Sequence, residues 1–163
     1  MSANVGAIGG SPFRIDYGLD IEPELAGLAE LTKAHGIALV VDSTLSTPAV
    51  LRPLELGADV IVHSTTKNLA GHSAALGGAL IGTETFVETL RDGHHHYIGP
   101  TMSAFNAWLT LLGIETLAVR MPRQIASAQQ VAEFLAHHPA VENVNYPGLA
   151  SHPQHDLALA QLG

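Results

Sequence analysis

Apolar residues in this chain occur either as short uninterrupted runs or at helical spacing. Two short runs, residues 37–41 and 59–62, are too short and too apolar for half-exposed strands, and they predict buried parallel strands. A third run, residues 76–81, contains Gly77 and Gly78, which indicate a strand with close backbone approach. Three strands are therefore predicted in the middle of the chain.

Helical spacing separates and follows these runs. It predicts helices over residues 23–35, 83–91, 103–112 and 114–136, and a short helical turn over 51–56 closed by Gly57. Gly36 suits the left-handed end of the first helix. Thr85 and Glu88 have the spacing of a capping box, and Pro122 should kink or restart the last helix.

The remaining segments carry weaker signals. Residues 1–18 are small and rich in glycine, which indicates an irregular N-terminal segment, and residues 93–99 indicate a loop. Residues 141–146 are a candidate for a final strand before a Pro-Gly turn. Trp108 forms a helical stripe with Phe105, Leu109 and Leu112, for which packing in the core is favoured over contact with a cofactor.

Alternating strands and helices predict an α/β fold with a mostly parallel sheet and flanking helices. In such sheets, ligands bind at the carboxyl ends of the strands. Asp42 follows the first predicted strand, and residues 64–67 follow the second. The connection between the two strands is long enough for a crossover, so both groups should face one ligand.

Composition narrows the classes of protein and partner. The chain has 163 residues, of which 47% are hydrophobic and 13% charged, a balance that indicates surface covered by further chain or by a partner. A net charge of −8 argues against binding to nucleic acid or to an anionic membrane. There is no cysteine and no apolar run near the ~20 residues of a membrane span, and a cytoplasmic protein is expected.

Lys67 is the leading candidate for chemistry. Three hydroxyl residues, Ser64, Thr65 and Thr66, precede it and can hydrogen-bond a phosphate, while the carboxylate of Asp42 can pair with a protonated ring nitrogen. An amine, hydroxyls and a carboxylate are what pyridoxal 5′-phosphate (PLP) requires, with the amine forming a Schiff base. The alternatives are an exposed loop lysine and an aspartate that caps a turn.

The ten histidines do not indicate a metal site. His94, His95 and His96 are consecutive and cannot easily face one ion from a regular element. Solvated or helix-end positions are expected for the pair at 137–138 and for His152 and His155.

Several ordered motifs together resemble the Cys/Met-metabolism (trans-sulfuration) PLP enzymes. They are Val40-Val41-Asp42-Ser43-Thr44, Val62-His63-Ser64-Thr65-Thr66-Lys67, Gly71-His72-Ser73, Gly99-Pro100-Thr101-Met102-Ser103, Gly113-Ile114-Glu115-Thr116-Leu117, Arg120-Met121 and Tyr146-Pro147-Gly148-Leu149. The resemblance covers residue 19 to the end, and is closest to O-acylhomoserine sulfhydrylase and cystathionine γ-synthase.

The resemblance implies part of the large PLP-binding domain of a fold-type I (aspartate aminotransferase-like) enzyme. Residues 19–113 would belong to that domain, and residues 114–163 would form a linking helix and the beginning of a C-terminal domain. Lys67 would carry the Schiff base and shuttle protons, and Asp42 would pair with the pyridine nitrogen. Ser64 and Thr66 would hold the phosphate, with Thr44 in support.

The implied reaction is γ-replacement, in which O-acetyl- or O-succinyl-homoserine exchanges its acyl group for sulfide or a thiol. A methionine or cystathionine lyase of the same family is the alternative. The family's ring-stacking tyrosine and carboxylate-binding arginine have no counterpart here, and Asn68 stands where an aromatic residue is common. We therefore expect either a fragment of a homo-oligomeric enzyme, or a non-catalytic remnant that at most binds PLP or associates with a full-length relative.

Overall fold

The computed structural model of the protein describes residues 5–8, 14–15 and 24–162. Five strands form one sheet in the order β2-β1-β3-β4-β5. They are β1 (Val5–Ile8), β2 (Arg14–Ile15), β3 (Ala38–Asp42), β4 (Val60–Ser64) and β5 (Gly78–Gly82). The two predicted central strands are thus present as neighbours in the middle of the sheet.

The fold is α/β, as predicted, but the sheet of described strands is mixed instead of mostly parallel. Only β3 and β4 pair in parallel, while β1–β2, β1–β3 and β4–β5 are antiparallel. Residues 65–77 between β4 and β5 form turns without a helix. A parallel partner needs a crossover connection, so β5 returns in the opposite direction.

Strands β1 and β2 lie within the segment that the sequence predicts to be irregular. The segment Val5–Ile8 pairs antiparallel with β3, with Val5 opposite Val41 and Ile8 opposite Ala38. A four-residue strand with a central Gly-Ala has too short a pattern to predict strand structure. Here the backbone of β3 supplies the pairing that the local sequence does not indicate.

Six α-helices lie among the described residues. They are α1 (Leu25–Ala34), α2 (Glu84–Leu90), α3 (His96–Ile98), α4 (Ala104–Glu115), α5 (Leu117–Ala136) and α6 (His155–Gln161). Gly36 follows α1 with φ of 64°, and Gly57 closes the 3₁₀ turn Pro53–Leu56 with φ of 94°. Both glycines adopt the left-handed conformation expected of helix ends.

The start of α2 differs from the predicted capping box. Thr83 is the N-cap, and its hydroxyl accepts a hydrogen bond from the Phe86 N–H at 3.3 Å. Thr83 has an extended backbone and sits directly before the first helical residue, whereas Thr85 and Glu88 lie inside the helix. The box prediction was wrong because the actual N-cap, Thr83, lies two residues before the assumed cap, Thr85.

Three further expectations need correction. Residues 91–98 are helical, with a π-helical turn at Arg91–His95 interrupted at Gly93, so the predicted loop 93–99 is not one. Residues 141–146 form no strand, and their stretch is held by turns and by a hydrogen bond between Asn145 and His152. Helix α5 continues through Pro122, so the predicted kink or restart is not found there, and the break between helices lies earlier, at Thr116.

Two apolar clusters make up the described core. One joins α1 to β3 and the following connection through Leu25, Leu39, Val41, Leu51 and Ala58. The other consists of Val50, Leu69, Leu117 and Met121. The second cluster matters for the candidate site, because it anchors the residues just after Lys67 against the first turns of α5.

Helix α4 packs differently from the expectation. Its buried residues are Thr110 and Gly113, whereas Phe105 and Trp108 are 64% and 53% exposed. Asn106, one turn before Thr110, donates its side-chain amide to the Leu76 carbonyl at 3.1 Å. The helix therefore turns a small and polar face inward, which places the predicted core stripe on the surface.

None of the helices in the described part of the chain is both long and apolar enough to cross a membrane. Within the same residues, no group of three or more His, Asp or Glu side chains is arranged to hold a metal ion. His94, His95 and His96 are all exposed on the helical segment before Gly99.

Candidate functional site

The carboxyl ends of β3 and β4 meet at one edge of the sheet. The two strands are parallel, with Val41 opposite Ile61 and Asp42 opposite Val62. Asp42 is the last residue of β3, and Ser64 is the last residue of β4. The predicted carboxylate and the beginning of the hydroxyl cluster are therefore brought to the same edge, as the parallel arrangement requires.

Thr44 fastens these two strand ends together. Its hydroxyl accepts a hydrogen bond from the Ser64 N–H at 2.8 Å, and its own N–H donates to Oδ1 of Asp42 at 2.9 Å. The Ser43 N–H adds a third link by donating to the Val62 carbonyl at 3.0 Å. Asp42 thus caps the turn that follows it, as the structural alternative proposed, and is held in a defined orientation by doing so.

The segment 65–71, called here the lysine loop, is ordered by its own backbone. The N–H groups of Lys67, Ala70 and Gly71 donate to the carbonyls of Ser64, Thr65 and Lys67 at 3.2, 2.9 and 2.8 Å. Leu69 and Ala70 are buried, whereas the Lys67 side chain is exposed. A rigid loop therefore presents one amine to the surface at the carboxyl edge of the sheet.

The three hydroxyls before Lys67 do not occupy equivalent positions. Ser64 and Thr66 are half-buried, and the Thr66 hydroxyl accepts a hydrogen bond from the Gly77 N–H at 3.2 Å. A hydroxyl that accepts one bond retains its own proton to donate, which is what a phosphate needs. Thr65 is buried, and its hydroxyl lies close to Gly77, where it has no partner among the described residues.

Asn68 links the lysine loop to the loop after Asp42. Its side-chain amide donates to the Leu45 carbonyl at 2.8 Å, and its own carbonyl accepts a hydrogen bond from Arg120 at 3.0 Å. The sequence marked this position only as a departure from an aromatic residue. In the structure, the amide donates a hydrogen bond between the two loops, which a phenylalanine could not do.

His63 is a second residue whose place the sequence did not indicate. It is 3% exposed, and its Nδ1 has no hydrogen-bond partner among the described residues. Burial lowers the pKa of His63 below its ordinary value of 6.5, although the charge of Asp42 and a hydrogen bond to the Ser43 backbone act in the opposite direction. A neutral imidazole therefore lies beside the edge that carries Asp42.

The donors and acceptors that these residues leave unused are of the kinds that one side of a PLP molecule would need. Of the Asp42 carboxylate, only Oδ1 takes part in a hydrogen bond within the described chain, so Oδ2 can accept from a protonated ring nitrogen. The hydroxyls of Thr44 and Thr66 each accept a backbone N–H and keep a proton to donate. Lys67 takes part in none of the ion pairs found among the described residues.

Comparison with known proteins extends these observations. A family model described as "Cys/Met metabolism PLP-dependent enzyme" matches residues 20–163. The chain is 46% identical over 140 residues to L-methionine gamma-lyase of Pseudomonas putida, covering 85% of this chain and 35% of that protein. It is 48% identical over 139 residues to O-succinylhomoserine sulfhydrylase of Pseudomonas aeruginosa, covering 85% of this chain and 34% of that protein.

Solved structures show the same likeness in three dimensions. A crystal structure of a methionine gamma lyase from Micromonospora echinospora superposes with a TM-score of 0.82 at 37% identity, covering 86% of this chain and 38% of that one. The chain spans about a third of the length of the curated relatives that it matches.

Proposed function

Because the chain belongs to the Cys/Met metabolism PLP-dependent enzyme family, we propose that it binds PLP through Lys67. The family identified from the sequence motifs is thereby confirmed, together with its α/β fold and its cofactor. The observation that supports the site most directly is the exposed Lys67 on a hydrogen-bonded loop at the same sheet edge as the oriented carboxylate of Asp42.

Each residue of the proposed site has a separate task. Asp42 would hold a proton on the ring nitrogen through a charge-paired hydrogen bond, and bound PLP would supply an electron sink for a carbanion. Ser64 and Thr66 would donate to the phosphate, and Thr44 would keep Asp42 in place. The Lys67 amine would anchor the cofactor, then accept and return the proton of the substrate's α-carbon.

For the reaction, we propose γ-replacement on O-acetyl- or O-succinyl-homoserine with sulfide or a thiol. The similarity to an O-succinylhomoserine sulfhydrylase supports this choice. A lyase of the same family is the alternative, because L-methionine gamma-lyase of Pseudomonas putida is similar over the same length. Both reactions use an amino acid substrate of sulfur metabolism.

For partners, we propose a second copy of this chain or a longer member of the same family. Helix α4 exposes Phe105, Trp108, Leu111 and Leu112, which is more contiguous apolar surface than one helix normally leaves to water. Association through this surface would bury it.

The test is an absorbance spectrum of the protein with added PLP, followed by borohydride reduction and mass spectrometry. Lys67 and Lys33 are the two lysines of the chain, so Lys33→Ala is a matched control on the exposed end of α1. We expect a visible band that Lys67→Ala abolishes and Lys33→Ala leaves in place. A band that is absent, or that survives in Lys67→Ala, would contradict the proposed site.

A further inference from the structure

Arg120 reaches from the first turns of α5 back to the lysine loop. Its Nη2 donates to the Asn68 carbonyl at 3.0 Å and to the Gly113 carbonyl at 2.7 Å. Its Nε donates to the Thr116 hydroxyl at 3.0 Å, which fixes the plane of the guanidinium. One cation therefore connects the residue after Lys67 with the carboxyl end of α4, where a positive charge is favoured by the helix dipole.

Gly71 allows this cation to lie directly on the loop. A Cβ added to Gly71 would stand 2.6 Å from Cζ of Arg120 and 2.8 Å from both of its terminal nitrogens. Gly71 also has φ of 79°, a conformation that other residues adopt only with strain. The loop thus ends in a glycine for two reasons, its backbone angle and the approach of the guanidinium.

Helix α4 closes the same contact from the other side. A Cβ added to Gly113 would collide with the Ala70 carbonyl and approach the Leu69 carbonyl. The Gly113 carbonyl accepts a hydrogen bond from Arg120, so the end of α4 and the guanidinium contact neighbouring parts of the lysine loop. Residues 68–71 are therefore held from two directions.

Asn68 carries this constraint to the other half of the site. Its carbonyl is bound by Arg120, and its side chain donates to the Leu45 carbonyl in the loop that follows Asp42. A change in the position of Asn68 would therefore alter the separation between the lysine loop and the Asp42 loop.

We propose that Arg120 is a positioning residue of the PLP site, which holds the lysine loop and, through Asn68, sets the place of Lys67 relative to Asp42. This rests on the proposed function. Within the described part of the chain, the Arg120 side chain bonds the Asn68 and Gly113 carbonyls and the Thr116 hydroxyl and not the Lys67 side chain, so its effect passes through the backbone. A planar fork is needed to reach two carbonyls and one hydroxyl together, which a lysine cannot reproduce.

The experiment compares Arg120→Ala, Arg120→Lys and the control Arg123→Ala, which changes an exposed arginine on the same helix. Amide hydrogen exchange without PLP measures the loop itself, because the Ala70 and Gly71 N–H groups are hydrogen-bonded within it. We expect exchange at these amides to rise about tenfold in Arg120→Ala, less in Arg120→Lys, and not in Arg123→Ala.

The dissociation constant for PLP, read from the visible band well below the melting temperature, measures the effect on the site. We expect it to rise about tenfold in Arg120→Ala, with partial rescue by Arg120→Lys. A purely structural role would lower the melting temperature and leave this constant unchanged. If Arg120→Ala does not fold, amide exchange and the PLP dissociation constant are measured on Arg120→Lys, which keeps the positive charge. Raised values of both would support the positioning role, and unchanged values would overturn it.

The outcomes separate the two proposals. Unchanged amide exchange at Ala70 and Gly71 in Arg120→Ala would overturn the positioning role, irrespective of the result for PLP binding. If exchange rises but the dissociation constant for PLP is unchanged, Arg120 holds the loop without affecting cofactor binding. That result would also overturn the positioning role. Absence of a Lys67-dependent band in the unsubstituted protein would overturn the proposed function, while the exchange data would still decide whether Arg120 holds the loop.

Discussion

Among single residues, His63 places an ionisable ring where little water can reach it. Its charged form is penalised by burial, and the neighbouring Asp42 offsets only part of that penalty. The unfolded chain has no such penalty, so between the two pKa values it binds more protons than the folded chain does. Protonation of this one ring therefore opposes folding.

The stability of the protein should consequently depend on pH in a defined direction. The contribution of the neutral His63 ring to the free energy of unfolding is fully present above pH 6.5, the ordinary pKa of the ring. This contribution is lost as the pH falls from 6.5 through the lower pKa of the folded state. We expect His63→Gln to flatten the slope of the free energy of unfolding against pH in this window. The measurement is urea denaturation at a series of pH values.

A second non-titrating replacement of the same ring provides the control for that experiment. His63→Asn should flatten the slope to the same extent as His63→Gln. Equal slopes for His63→Gln and the unsubstituted protein would contradict the assignment.

At the scale of elements, the contact between α4 and the lysine loop depends on Gly113. In a helix, replacing glycine by alanine normally stabilises the protein by about 1 kcal/mol. Here the added methyl would collide with the backbone of Ala70. We expect Gly113→Ala to destabilise the protein by about 1–3 kcal/mol, as overpacking does.

Gly27 on α1 supplies the comparison for this prediction. A Cβ added there approaches only the flexible end of the Glu24 side chain, 2.9 Å from its Oε2, and that side chain can move aside. Urea denaturation of Gly27→Ala should therefore show a gain of up to about 1 kcal/mol from helix propensity. A stabilised Gly113→Ala variant would show that α4 does not press on the loop as described.

The same elements show what the sequence could and could not predict. Two short apolar runs in the sequence predicted strands β3 and β4. The length of the connection between them predicted that Asp42 and Ser64 lie at the same edge of the sheet. The direction of β5 depended on the absence of a crossover helix in residues 65–77, which no apolar pattern indicates. The contact of Arg120 with Asn68 joins residues 52 positions apart, a separation at which local spacing carries no information.

The orientation of α4 was unpredictable for a further reason. The helix is apolar on most sides, so its periodicity does not distinguish an inward face from an outward one. The choice was made by Gly113, the residue small enough to let the helix meet the loop backbone. The close approach of Gly113 to the loop backbone therefore outweighed the larger apolar area that burial of Phe105 and Trp108 would have removed from water.

For the whole molecule, that orientation leaves an apolar surface on which association can be measured. Trp108 is the single tryptophan of the chain, so its emission reports on this surface alone. We expect the emission of Trp108 to shift to the blue with rising protein concentration, and light scattering to show more than one copy. Phe105→Glu should weaken this association by about tenfold.

Phe134 on α5 is an exposed aromatic outside the α4 surface and serves as the control. Phe134→Glu should leave the concentration dependence as it is. A protein that remains a monomer at every concentration, with constant Trp108 emission, would show that the exposed α4 surface is not used for self-association.

The short path between Asp42 and Lys67 also bears on how the protein folds. Strand β3, one 3₁₀ turn, strand β4 and the lysine loop follow each other without interruption, and the parallel pair joins residues only 20 positions apart, such as Val40 and Val60. Closing so short a segment costs little chain entropy, which favours early formation. During synthesis on the ribosome, the amine and the carboxylate would meet before α4 and α5 emerge to clamp them.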